Sequence, residues 1–175
     1  LDSLSYQLAE LSPAALLEYK NEGLEERIEN GRLRAQKVFE EMVALQEELD
    51  WHVYSLYGLT EDALCYEGRA PAVELGQRAF EIHLARNIVA GDSESSWFVR
   101  HGSTPITEVP DHWPMDYQAL VKRRLQAIEQ NQWIALVEQP EYKRRWKLDS
   151  WQARLQAALK ALLLERLEQA CQAPE

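Results

Sequence analysis

The sequence predicts an all-α protein in which a long amphipathic helical arm is followed by a small helical domain carrying an ordered, aromatic-anchored loop. Three observations point there. Apolar residues between positions 24 and 56 keep a seven-residue period. Segments 72–90, 115–131 and 148–171 each place apolar residues three and four apart. Only seven Gly and seven Pro punctuate 175 residues that are 46% hydrophobic and 27% charged, the profile of a folding chain with few obligatory turns. The division expected is a spacer or coiled-coil-like arm over residues 1–60 and a helical domain over 61–175. The chain opens at Leu1 rather than Met, and the expectation is a segment of a larger protein.

Ser12-Pro13 ahead of Ala14, Ala15, Leu16 and Leu17 has the form of an N-cap with Pro at the first helical position, giving a short helix to about Asn21. Gly23 and Asn30-Gly31 are candidate breaks. From Leu24 to Leu56 one row runs through Ile28, Ala35, Met42, Leu49 and Leu56, with Leu24, Val38 and Leu45 beside it and Glu40, Glu41, Glu47, Glu48 and Asp50 on its flanks. A narrow apolar stripe on a solvated helix suits packing on one partner helix, in cis or in a second copy. Gly58 is the expected stop, and Thr60-Glu61-Asp62 looks like the cap of another short turn.

Residues 72–90 then form a core helix with Val73, Phe80, Leu84 and Ile88 inward, closed by Gly91. Residues 91–114, rich in Gly, Ser, Pro and Thr, keep Trp97, Phe98, Ile106, Val109 and Trp113 as anchors. Met115 to Asn131 returns to helix, with Tyr117, Val121, Leu125 and Ile128 on the packed side. Trp133 to Val137 is an extended segment or a helix start. Leu148 to Cys171 closes the chain, capped by Asp149 or Ser150 and burying Leu155, Leu159, Leu162, Leu163 and Leu167.

Charge is distributed unevenly within a net −10. Residues 1–60 hold twelve acids against five Lys and Arg, and residues 61–110 hold eight against four, whereas 111–146 hold six bases against five acids. The first half repels polyanions, so a nucleic-acid contact has to come from a local basic surface in the second half. Its candidates are Lys122, Arg123, Arg124, Lys143, Arg144 and Arg145, with Trp133, Tyr142 and Trp146 interleaved, facing the phosphates of double-stranded DNA. Two solvated helical faces are the plainer account of the same triplets.

Cys65 and Cys171 stand apart, as small buried hydrophobes in a reducing cytoplasm would. No apolar run approaches the ~20 residues that cross a bilayer. His52, His83, His101 and His112 lack local metal-ligand spacing, although His101 and His112 flank one loop. Pro110-Asp111 with Glu141-Tyr142-Lys143 satisfies the permissive PD…(D/E)xK nuclease pattern, but a helix intervenes and Pro140 precedes the second half. No phosphate-cradling Gly-rich loop, GxSxG elbow or [DN]-P-P-[YF] tetrapeptide occurs. No catalytic or metal-ligating residue is assigned, and the chain itself is expected to be neither an enzyme nor a cofactor binder.

The run Glu48-Leu49-Asp50-Trp51-His52-Val53-Tyr54-Ser55-Leu56-Tyr57-Gly58-Leu59-Thr60-Glu61 resembles a phrase that follows the target-recognition region in many adenine-specific DNA methyltransferases and fused restriction-modification enzymes. Trp97 to Pro110, Trp113-Pro114 and Pro140 to Trp146 are similar to the C-terminal region of PglX-type methyltransferases of the BREX phage-exclusion systems. The resemblance implies a parent that methylates adenine N6 with S-adenosylmethionine and helps tell host from phage DNA, its catalytic domain lying upstream. What it implies for this chain is a non-catalytic C-terminal module that positions DNA or docks the methyltransferase domain or other defence components. A stand-alone helical protein-interaction module without nucleic-acid binding is the alternative.

Overall fold

The computed structural model describes residues 1–18, 23–146 and 149–172; among these there are eight α-helices and no strand. They are α1 (Asp2–Glu10), α2 (Pro13–Glu18), α3 (Leu24–Leu56), α4 (Ala79–Ala90), α5 (Trp97–His101), α6 (Met115–Gln130), α7 (Gln132–Val137) and α8 (Trp151–Gln172). No helix among the described residues is long and apolar enough to cross a membrane. Two compact units form: residues 1–39 with 148–175, and residues 40–147.

In the first unit, Ser12 Oγ accepts from Ala15 N at 3.3 Å and Pro13 opens α2, as the local sequence dictates. The expected helix end at Asn21 lies outside the described residues. Gly31 does not break α3; it is buried where a Cβ would meet the Leu16 side chain, so the absence of a side chain lets α2 approach. Arg27 Nε donates to Leu16 O at 3.1 Å beside that contact. In α8, Ser150 Oγ accepts from Ala153 N, whereas the expected start at Leu148 lies outside the described residues.

The face expected to be buried on α8 is largely open. Leu163 and Leu167 are 63% and 61% exposed, Leu159 is exposed, and only Leu155 and Leu162 are half-buried. The reason is reach: α8 packs on α2, and a six-residue helix about 9 Å long covers a fraction of a 22-residue helix about 33 Å long.

In the second unit, α4 begins at Ala79, seven residues later than the apolar spacing suggests. Gly76 adopts φ +98°, which no right-handed helix can contain, and its Cα faces the Thr104 carbonyl so closely that a Cβ would collide with backbone. Gly76→Ala therefore combines left-handed strain with a clash that no rotamer relieves, and a loss of roughly 2 kcal/mol or more in urea unfolding is expected. Gly91, at φ 82°, closes α4 as anticipated.

The loop over 91–114 is ordered as its aromatic residues suggest. Trp97 and Phe98 sit on the short α5 and pack with Phe80, Leu84 and Ala85, while buried Trp113 donates Nε1 to Ala72 O at 3.1 Å. Thr60-Glu61-Asp62 caps no helix; residues 61–62 form a bend. Asn131 ends α6 and starts α7, its Oδ1 accepting from Trp133 N and Ile134 N and its Nδ2 donating to Leu59 O at 2.7 Å. The Trp133–Val137 segment is thereby helical. Cys65 is half-buried and Cys171 exposed, so neither is the fully buried apolar filler expected.

His83 on α4 is half-buried, with Asn87 Nδ2 3.0 Å from its Nε2. Burial holds its pKa below the ordinary 6.5, and Glu129 offsets this only in part. A histidine favoured neutral in the fold contributes stability above pH 6.5 that is lost as pH falls through the depressed value. The urea midpoint is expected to fall between pH 7 and pH 5 more in the native chain than in a His83→Gln variant.

Candidate functional site

On α3, Val43, Glu47, Trp51 and Tyr54 recur four, four and three residues apart and share one face, which is the buried face of the second unit. Leu45, Leu49 and Leu56 lie roughly 180° around at 100° per residue and are 40%, 45% and 71% exposed. The seven-residue stripe is real, but over this stretch Leu45, Leu49 and Leu56 face outward.

What the inward face holds is a cluster of buried charge: Glu47, Arg78, Glu81, Arg124, Glu138 and Lys143. Burying so many ions is costly unless each finds a partner, and the contacts are correspondingly dense. Lys143 Nζ lies 2.6 Å from both Asp50 Oδ2 and Glu138 Oε1, and Tyr54 Oη donates to Glu138 Oε1 at 2.6 Å. Arg124 donates to Leu64 O through Nε and Nη2 and to Glu48 Oε2 at 2.7 Å. Glu81 accepts from Arg78 Nε and Nη2, from Gly76 N, and from Trp97 Nε1 at 2.9 Å. Glu47 Oε1 accepts from Trp51 Nε1 and from Ala79 N, the first amide of α4.

Burial pushes the Glu47 carboxyl upward, but Lys143, Arg124 and Arg78 together outweigh it and hold it below the usual carboxylate range. At Glu138 burial wins over Lys143, with Glu47 adding to the rise, so this carboxyl sits above that range. Burial alone would lower Lys143, yet Glu138, Glu47 and Asp50 raise it, and it stays an ammonium. Burial raises the Tyr54 phenol too, which keeps it a donor to Glu138.

The six basic residues expected to meet phosphate divide accordingly. Arg124 and Lys143 point inward and are consumed by ion pairs, which takes them out of reach of any polyanion. Lys122, Arg123, Arg144 and Arg145 are exposed. The triplets also reach α3 from opposite flanks, since their partners Glu48 and Asp50 are two residues apart on a helix. Arg123 pairs with Asp62 at 2.8 Å, and Arg144 stacks over Trp146 while reaching Gln46. Lys143 cannot polarise a water as the nuclease pattern requires, and Asp111 and Glu141 line different clefts. Among the described residues no group of three or more His, Cys, Asp or Glu could hold a metal ion. His101 engages Trp97, and His112 engages Trp113.

An open cleft of about 800 Å³ lies on this unit, lined among others by Glu94, Arg100, His101, Glu141 and Arg145. Arg145 is placed there by its neighbours: Lys143 is locked inside, and Arg78 Nη1 donates to Arg144 O at 3.2 Å. The buried ions thus fix the backbone that presents the exposed ones.

Fold and site together define a helical module built around a buried charge cluster, with exposed arginines at its surface. The chain belongs to the family described as domain of unknown function DUF7008, which matches residues 42–173. It is also 46% identical over 173 residues to the adenine-specific methyltransferase PglX of Streptomyces coelicolor, a match covering 96% of this chain and 14% of that protein. No solved structure matches it.

Proposed function

We propose that the chain is a non-catalytic, C-terminal module of a cytoplasmic adenine-specific DNA methyltransferase of the BREX type in phage defence, and that it positions double-stranded DNA for the catalytic domain. The observation that carries the DNA contact is the outward set of cations: Arg144 and Arg145 on backbone that Lys143 and Arg78 pin from within, and Arg100 on α5, which Trp97 ties to Glu81. A backbone already held in place favours phosphate contacts, because less backbone freedom is lost on binding. The likeness to PglX supports the setting. S-adenosylmethionine and the methyl transfer are assigned to other parts of such an enzyme, since the adenine-holding tetrapeptide is absent from this chain.

Anisotropy of a labelled duplex, titrated with the chain at two salt concentrations, tests this. Affinity is expected to fall with salt. Arg144→Ala/Arg145→Ala is expected to flatten the slope of log K against log salt by about 2, near 0.9 for each phosphate that an arginine no longer neutralises. Absence of binding at low salt would remove the DNA role.

A second reading is favoured by the outward stripe of Leu45, Leu49 and Leu56, next to exposed Tyr57. Seven-residue spacing on a solvent face suits a partner helix, in another defence component or in a second copy of the chain. Sedimentation of the native chain and of Leu49→Glu is the measurement, with loss of a dimer in the variant as the result expected for self-association.

A further inference from the structure

We propose that the cleft lined by Arg100, His101 and Arg145 is a binding site for a phosphate group; resting on the DNA reading above, that group is a backbone phosphate of the duplex. Arg100 and Arg145 are exposed on this lining, and their guanidinium groups form no ion pair or hydrogen bond among the described residues. By contrast Arg32, Arg69, Arg78, Arg86, Arg123 and Arg124 all have carboxylate partners. Two guanidinium forks left open on one concave surface match the geometry of phosphate oxygens, which they bind in pairs of parallel hydrogen bonds.

His101 is the third polar group, and its orientation is fixed rather than free. Its Nδ1 lies 2.8 Å from Trp97 O, and its ring stacks on the Trp97 indole at 3.9 Å. Trp97 is itself tethered through Nε1 to buried Glu81. A ring whose Nδ1–H is committed to a carbonyl leaves Nε2 as the nitrogen available to a ligand. Ser95 on the same lining accepts from Trp97 N at 3.2 Å, so its hydroxyl proton remains free to donate.

Glu94 and Glu141 share the lining but pair with neither arginine, so they weaken the local potential without occupying the forks. They lower the gain for a compact anion such as chloride, which meets each arginine at a single point, more than for a phosphate, whose non-bridging oxygens each accept hydrogen bonds from a guanidinium fork. The volume of about 800 Å³ exceeds what one phosphate needs and leaves room for the sugar attached to it.

The test titrates the full chain with inorganic pyrophosphate and, separately, with a labelled duplex, comparing native protein with Arg100→Ala, Arg145→Ala and Glu141→Gln. Both arginines are exposed, and an unchanged melting temperature confirms that the variants fold. Expected are a loss of about tenfold or more in duplex affinity for each arginine variant, tighter binding by Glu141→Gln, and displacement of duplex by pyrophosphate. Pyrophosphate binding that is lost in the variants, without any duplex binding, would keep the phosphate site while removing the DNA reading. Duplex binding unchanged by all three substitutions and untouched by pyrophosphate would overturn the site and leave DNA contact to other residues. No binding of either probe would overturn both.

Discussion

Lys143→Ala is expected to destabilise the 40–147 unit by roughly 3–5 kcal/mol, the cost typical of stripping one partner from a buried charge group. Lys143 is the only cation within 2.6 Å of Asp50 and Glu138 among the described residues, and its side chain is 2% exposed. Its removal leaves Asp50, Glu138 and the Tyr54 hydroxyl around a cavity with no positive charge. Glu138 responds by taking up a proton, toward which burial already drives it, whereas Asp50 loses its ion-pair partner and Glu47 one of the three cations that balance it. Lys143→Met combined with Glu138→Gln is therefore expected to recover part of the loss, because it removes both ions of this buried pair. Urea unfolding followed by tryptophan fluorescence reads this unit, which carries Trp51, Trp97, Trp113, Trp133 and Trp146. A loss below about 1 kcal/mol would mean that the cluster relaxes or admits water, and that it does not set the fold.

Glu81→Ala is expected to cost as much, again roughly 3–5 kcal/mol, by the same mechanism. One carboxylate there accepts from two nitrogens of the Arg78 guanidinium, from the Gly76 amide and from the Trp97 indole. Its loss strands Arg78, which is 2% exposed, and frees the capping box that starts α4. Glu81→Gln keeps the shape and one acceptor oxygen, so a smaller loss of about 1–3 kcal/mol is expected. Because Trp97 supports His101, Glu81→Gln is also expected to broaden the His101 ring signals in an NMR spectrum while leaving those of exposed His52 unchanged.

The helical class, the full span of α3, the start of α6 and the aromatic-anchored loop were legible from periodicity, capping residues and turn chemistry. The helices depend on interactions within a few residues, and the loop was legible because its aromatic residues have to be buried somewhere, although their partners lie far off in sequence. The orientation of α3 was not legible, because two rows compete on it. The Leu45–Leu49–Leu56 row has the stronger apolar signal, but the buried row contains Glu47 beside Trp51 and Tyr54. Hydrophobicity scores a glutamate as solvent-facing, and only a partner distant in sequence, such as Lys143, reverses that. The same long-range pairing split the basic triplets: nothing local distinguishes Arg124 from Arg123, or Lys143 from Arg144, until Glu48, Asp50 and Glu138 are placed. A signal was available in the aromatic residues, since Trp51 and Tyr54 on one helical face mark a buried, polar-capable surface.

On the proposed function the cations of this module divide their labour: inward ones hold it together, and outward ones would touch phosphate. One paired measurement tests that division most directly, namely duplex affinity and urea stability determined together for Lys143→Met and for Arg144→Ala/Arg145→Ala. The arginine pair is expected to lose duplex affinity and its salt dependence with stability within about 0.5 kcal/mol of native. Lys143→Met is expected to lose stability, and the protein that remains folded to lose less affinity than the arginine pair does, through a less firmly held Arg144–Arg145 backbone. Duplex affinity that depends on neither arginine, or that falls with Lys143 at unchanged stability, would contradict the division.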